Sequence, residues 1–187
     1  MKEEKDISDN WLQTSDKDQL IQDLIHFYGE EMKRLIFTYV KDFSITDDIF
    51  QDVLVTVYLK VSQFKLQSSF KTWLFRITVN KSKDYLRSWY FRRVQISDSF
   101  KQMVGNKSME DITLSKETSK YLGEVILSLP VKYREVIILY YYKDLKVTEI
   151  SEVLKLNSST VRTRLNRARK LLENNIGGDV EWLQINK

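Results

Sequence analysis

NSSTVRTRLNRARKLLENN, residues 157–175, is the stretch whose reading decides the fold. Read as a helix, it has two opposed faces. Val161, Leu165, Ala168 and Leu172 recur at i, i+4, i+7 and i+11, which makes one apolar stripe. Arg162, Thr163, Asn166, Arg167 and Lys170 fall largely on the other side, and Arg164 and Arg169 flank the boundary. Residues 158–175 carry four Arg and one Lys against one Glu. Arginine can read guanine bidentately and can also grip phosphate, so an arginine face opposite an apolar one suits the DNA major groove.

An arginine-rich helix face is more often only solvated, and the preceding residues decide the matter. VTEISEVLK (147–155) is a short helical pattern with Val147, Ile150 and Leu154 at i, i+3 and i+7. Leu156-Asn157-Ser158-Ser159 then forms a short polar turn rich in N-cap residues. Short helix, tight turn and longer basic helix make a helix-turn-helix, whose second helix enters the major groove.

The chain has 187 residues, 42% hydrophobic and 30% charged, a globular composition that allows one domain or two small ones. One Pro and five Gly favour helices throughout. Cys is absent, which excludes disulfides and thiolate metal sites. A single His, His26, leaves no His-based metal or catalytic site. There is no Gly-rich phosphate loop either, so the reading is of a non-enzyme without cofactors. The first ten residues, MKEEKDISDN, are acidic where a signal peptide would be basic. The longest apolar run, Val136 to Tyr142, has seven residues, too few to cross a bilayer. A cytoplasmic protein with no membrane insertion is expected.

Charge is segregated. Residues 1–60 carry 13 acids and 7 bases, residues 61–100 carry 2 acids and 8 bases, and residues 101–187 carry 11 acids and 15 bases. An acidic front suits a protein partner, and the two basic zones behind it suit nucleic acid.

From Leu20 to Lys41 apolar residues recur at helical spacing (Leu20, Leu24, Phe27, Met32, Leu35, Ile36, Tyr39), and Gly29 is expected to break or bend the run. SITDDIFQD (44–52) opens the next helix, with Ser44 or Thr46 as cap and Asp47 and Asp48 at its positive end. Its stripe runs Ile49, Phe50, Val53, Leu54, Val57, Tyr58, Val61. Asp48, Gln51 and Asp52 form one acidic face. Capping explains the first acids but not Asp52, which repels Asp48 at i, i+4. FKTWLFRITVNKSKDYLRSWYFRR (70–93) holds seven bases and one acid. Phe70, Trp73, Leu74 and Ile77 form its core face, and Arg76, Asn80, Lys83 and Arg87 a polar and basic stripe. Rings interleaved with bases suit single-stranded nucleic acid, since bases stack on rings while Arg and Lys track phosphates. Phe64 is the aromatic expected at a surface loop.

Residues 94–115 lose periodicity and read as a flexible linker. Helical periodicity returns at 116–128, and Pro130 starts another helix at its first position, carrying Tyr133, Val136, Ile137, Leu139 and Tyr140 inward. Gly177-Gly178 stops the last helix. The layout is an N-terminal extension (1–17), a first domain (18–93), the linker (94–115), a helix-turn-helix domain (116–176) and a tail (177–187) whose Trp182 has no account. The fold class is all-α, two small helical domains joined by a flexible linker.

These blocks resemble the extracytoplasmic-function sigma factors of bacterial RNA polymerase, over residues 20–175. DDIFQD (47–52) is similar to the family's acidic Asp-x-x-Gln-Asp/Glu motif, and FKTWLFRITVNKSKDYLR (70–87) to its Trp-Leu-x-Arg-Ile-x-x-Asn block. Residues 127–172 are similar to its C-terminal helix-turn-helix region. The resemblance implies that the first domain clamps the polymerase core, through its β′ and β subunits, and opens the minus-ten element. The second would read the minus-thirty-five element of promoter DNA. An anti-sigma factor is an implied partner. Carried onto this chain, Asp48, Gln51 and Asp52 would bind core polymerase. Phe64 and Asn80 would take a flipped minus-ten base, with Arg76, Lys83 and Arg87 on phosphates. Arg162, Thr163, Asn166 and Arg167 would reach minus-thirty-five bases, with Thr160, Arg164 and Arg169 on the backbone. Lys146 and Ser159 stand where the family often has Ser and Gly. The competing reading is a stand-alone helix-turn-helix regulator, which would not need a second basic zone at 70–93.

Overall fold

The computed structural model describes residues 16–65, 67–96 and 118–176, and among these there is no strand. The helices form two compact units. The all-α expectation therefore holds. The N-terminal extension before Asp16, most of the linker and the tail with Gly177, Gly178 and Trp182 lie outside the described residues.

The first unit packs three helices pairwise: α1 (Lys17–Val40), α2 (Phe43–Lys60) and α3 (Phe70–Ile96). Asp16 caps α1, its carboxylate accepting from the Asp18 and Gln19 amides at 2.9 and 3.2 Å. Lys41 ends α1 in the left-handed region (φ 56°) and Asp42 returns to extended backbone, which turns the chain in two residues. Asp42, not Ser44 or Thr46, then caps α2 by accepting from the Ile45 amide at 3.0 Å. α2 thus starts earlier than its acidic run suggests. Thr46 is buried in its first turn, its hydroxyl donating to the Asp42 carbonyl at 2.6 Å.

Leu24, Met32, Leu35 and Ile36 of α1, Val53 and Val57 of α2, and Leu74, Phe75 and Val79 of α3 make the sealed core. Thr72, Thr78 and Ser82 are buried with them. The Thr78 and Ser82 hydroxyls are satisfied by carbonyls of their own helix, at 3.0 and 2.9 Å. Phe27 is 49% exposed and Tyr28 takes the inward position instead. Trp73 and Ile77 are only half-buried, because Phe75 and Val79 hold the centre of α3. α3 also runs three residues into the expected linker, to Ile96.

Gly29 does not break α1, which runs through it. It is buried, and a Cβ there would meet Phe50 Cζ at 3.6 Å and Ile25 Cγ2 at 3.7 Å, ordinary van der Waals contact. Nothing opposes a methyl group, while glycine in mid-helix costs conformational entropy. Gly29→Ala is expected to stabilise the first unit by about 0.5–1 kcal/mol, read as a rise of a few degrees in Tm.

The second unit contains α4 (Thr118–Ser128), α5 (Val131–Ile137), α6 (Val147–Leu154) as far as Ser151, and α7 (Ser158–Ile176). Pro130 sits one residue before α5, as its cap. α5 is prolonged by a single π turn, Ile138–Tyr142, which inserts one residue into the helical path. α4 and α5 both pack on α7. Val125, Ile126, Leu129, Val136, Ile137 and Leu139 are buried, as are Val161, Leu165, Ala168 and Leu172. The stripe that defined α7 in the sequence is therefore its buried face. Tyr133 and Tyr140 are half-buried, and Arg134 and Glu135 occupy the interior instead. The Arg134 guanidinium donates to the Leu127 carbonyl near the end of α4.

α6 and α7 meet at a tight turn. Lys146 begins α6, and the Glu149 carboxylate accepts from its amide at 2.8 Å. Only this half of a capping box can exist, because an ammonium group has no lone pair to offer. Lys155 closes α6 at φ 53° and Asn157 opens α7 by accepting from the Thr160 amide at 3.0 Å. Ser151 and Ser158 share a 3.0 Å hydroxyl contact across the turn.

Candidate nucleic-acid interface

With its apolar stripe buried, α7 turns Arg162, Thr163, Asn166, Arg167 and Lys170 to the exterior, all exposed. Asn166 lies one turn from each of Arg162, Thr163 and Lys170. The Thr163 hydroxyl donates to the Ser159 carbonyl at 2.9 Å, so outward it offers lone pairs and a methyl group. A hydrogen bond from Arg167, above all, holds the Tyr133 hydroxyl below the usual phenol range, with a smaller contribution from Lys132.

Arg164 and Arg169 leave α7 at the two edges of its buried stripe, and α5 engages both. Arg164 Nη1 donates to Glu135 Oε1 at 2.9 Å, where the Glu135 side chain is 2% exposed. Arg169 Nε donates to the Tyr141 hydroxyl at 2.8 Å, and its guanidinium lies 5.9 and 5.6 Å from the Tyr140 and Tyr141 ring centres. The sequence assigned both arginines to DNA phosphates, and the structure gives both an intramolecular partner. The Thr160 hydroxyl likewise donates to the Asn157 side-chain oxygen, so its proton is already committed. It would have to rotate away from the cap to meet a phosphate.

In the first unit, Arg76, Asn80 and Lys83 are half-buried along one face of α3, and Arg87 continues it exposed. Arg87 pairs with Asp84 at 3.2 Å, an exposed contact that contributes little to stability. Phe64 follows a short 3-10 turn (Val61–Gln63) and is half-buried, not a free loop tip. Its ring packs edge-on to Phe70 at 5.8 Å and tilted to Trp73 at 5.2 Å. Phe64 and Trp73 thus share a partly open aromatic cluster rooted on buried Phe70.

On α2, Asp47 is paired with Lys33 at 2.8 Å. Asp48, Gln51 and Asp52 are exposed. Val55 and Leu59 extend the same stripe, at i+7 and i+11 from Asp48, and are 59% and 63% exposed. The sequence reading missed these two. The available signal was an apolar residue falling twice on the polar side of α2.

Among the described residues no helix is long and apolar enough to cross a membrane. The chain matches the family description "Sigma-70 region 2" over residues 24–89 and "Sigma-70, region 4" over residues 119–172. It is 30% identical over 159 residues to the ECF RNA polymerase sigma factor SigW of Bacillus subtilis, covering 80% of this chain and 85% of that one. It is 32% identical over 145 residues to the RNA polymerase sigma factor SigV of the same organism, covering 78% and 84%. The fold is similar to that of the sigma factor RpoE from Bartonella quintana, solved with the anti-sigma factor NepR. There the TM-score is 0.67 at 22% identity, over 90% of this chain and 99% of that one.

Proposed function

Because the chain belongs to the extracytoplasmic-function sigma factors of RNA polymerase and directs that enzyme to promoters, we propose how its side chains share the work. The α2 stripe of Asp48, Gln51 and Asp52 docks on a basic surface of core polymerase, in the β′ subunit, with further contacts to β. The α3 face and the Phe64 cluster receive the melted minus-ten strand. The α7 face reads the minus-thirty-five duplex. The protein acts where the polymerase is, in the cytoplasm, as a specificity factor and not as a catalyst. An anti-sigma factor is a further partner in this reading, by analogy with RpoE, which was solved bound to one.

One observation carries the proposal: a five-residue polar face on α7 that stays exposed while α5 ties down both its edges. A preorganised helix with free donors facing out is what major-groove readout requires. Arg162, Thr163, Asn166 and Arg167 are the base-reading residues. Lys170 extends their positive face. Arg164 and Arg169 are reassigned below to internal roles.

The minus-ten assignment rests on Arg76, Asn80, Lys83 and Arg87 along one face of the helix that carries Phe70 and Trp73 of the aromatic cluster. A flipped base needs a ring to stack on and a polar edge to read it. In run-off transcription with core polymerase, Asn80→Ala is expected to cut open-complex formation about tenfold, as lost base contacts do, while leaving duplex binding upstream within twofold. Permanganate footprinting reports the melting directly. Normal melting in the mutant removes Asn80 from the site, and no transcript from the unmutated holoenzyme at any promoter removes the proposal.

A further inference from the structure

We propose that Arg169 is a positioning residue that orients the Asn166 side chain so that its amide N–H groups lead toward DNA. The inference rests on the reading of α7 as the recognition helix.

Three contacts hold Arg169. Its Nε donates to the Tyr141 hydroxyl at 2.8 Å. Its guanidinium lies over the rings of Tyr140 and Tyr141, which stand edge to face 5.0 Å apart. Its Nη1 donates to Asn166 Oδ1 at 3.5 Å. Both tyrosines lie in the π turn Ile138–Tyr142, whose inserted residue redirects consecutive side chains, and here both reach one guanidinium. Cation–ring contact and the tyrosine oxygen together fix Arg169 at the edge of α7.

The consequence follows from donor and acceptor inventories. Guanidinium has five N–H donors and no acceptor, so the atom of Asn166 facing it is the carbonyl oxygen. The amide nitrogen is then directed away, on the exposed side of α7, where it offers two protons. An unconstrained asparagine reads adenine by donating to N7 and accepting from N6 at once. With its oxygen turned toward the cation, Asn166 leads with its amide donor on the DNA side, and only one lone pair of the oxygen remains to accept. Its targets are purine N7, guanine O6 and thymine O4. The arginine disfavours the two-bond adenine mode, and it does so without touching DNA.

The test uses the full chain assembled with core polymerase and a duplex library randomised across the upstream element, at several salt concentrations. Arg169→Met keeps the length and apolar packing and removes the donors. It is expected to shift preference toward adenine by about fivefold at one position, the worth of one hydrogen bond, with the salt slope unchanged. Tyr141→Phe frees the guanidinium more gently and is expected to shift the same position in the same direction. In an Asn166→Ala background, Arg169→Met is expected to leave that position unmoved, since the effect acts through Asn166. A salt slope flattened by about one unit with preference intact would make Arg169 a phosphate ligand and overturn the proposal. So would a base shift that survives in the Asn166→Ala background. Arg167→Ala is the control for the underlying reading. If it and the unmutated chain show the same preferences, α7 is not the reading helix and both conclusions fall.

Discussion

Arg164→Ala is expected to destabilise the second unit by about 3 kcal/mol, the low end for removing one partner of a buried ion pair. Glu135 has only a 2% exposed side chain, and Arg164 Nη1 reaches its carboxylate at 2.9 Å. Deleting the guanidinium takes a cationic partner from a buried carboxylate, between the helix that supports α7 and α7 itself. Arg164 is itself a quarter exposed, which admits some water and sets the expectation at the low end. Glu135→Gln keeps an acceptor for Arg164 and should cost about 1 kcal/mol, a lost charge-assisted increment. Glu135→Gln with Arg164→Met should recover much of the loss, because both charges of the pair are removed together. Urea unfolding followed by circular dichroism measures all three. A small loss in Arg164→Ala together with a flatter salt dependence of DNA binding would return Arg164 to the phosphate contacts that its sequence position suggests.

That difference shows where sequence reading of this chain stops. The apolar stripe of α7 was legible because one period of 3.6 fixes which residues face inward, and Val161, Leu165, Ala168 and Leu172 are all sealed. The periodicity also placed Arg164 and Arg169 at the stripe's edges. It could not say what waits there. Glu135 reads as an ordinary helix carboxylate, and its burial depends on α5 packing against α7 from 29 residues away. The Tyr141 partner of Arg169 depends further on a π turn, which no residue in ILYYY announces. Arginines at the margin of a basic helix thus look identical in sequence whether they hold DNA or hold the fold.

The first unit shows the same limit in another form. The acidic run at 47–52 was read as a capped helix start, but Asp42 caps α2 and Asp47 is paired with Lys33. Both displacements strengthen the case for the remaining acids, because the two fold roles available to acids there are already filled. Gly29 misled for a related reason. A glycine inside a helical pattern signals a break on average, and here the ring of Phe50 packs close to it instead. Phe64 does lie in the loop before the basic helix, but it is half-buried there, since its packing on Phe70 and Trp73 is tertiary.

The other large effect is expected on the proposed polymerase face of α2. Asp48, Asp52, Val55 and Leu59 recur at i, i+4, i+7 and i+11, one seam of two acids followed by two exposed apolar side chains. Neither half serves the isolated fold. Acids at i, i+4 repel by a few tenths of a kcal/mol, and the apolar pair lies in solvent. Such a seam fits a partner that offers cations at one end and an apolar strip at the other. Charge-assisted hydrogen bonds would form at the first and water would leave the second. Asp48→Ala/Asp52→Ala is expected to weaken core-polymerase binding about a hundredfold, near 3 kcal/mol for desolvated charge pairs, with most of the loss gone at high salt. Leu59→Ser should weaken it about fivefold at every salt concentration, as lost apolar burial does. Both variants should keep the helical content, and the double alanine should melt no lower than the unmutated chain, having shed a like-charge pair. Fluorescence titration of core polymerase against each variant at two salt concentrations separates the two contributions. Unchanged affinity in both would clear α2 of the role and leave its acids as solvated surface.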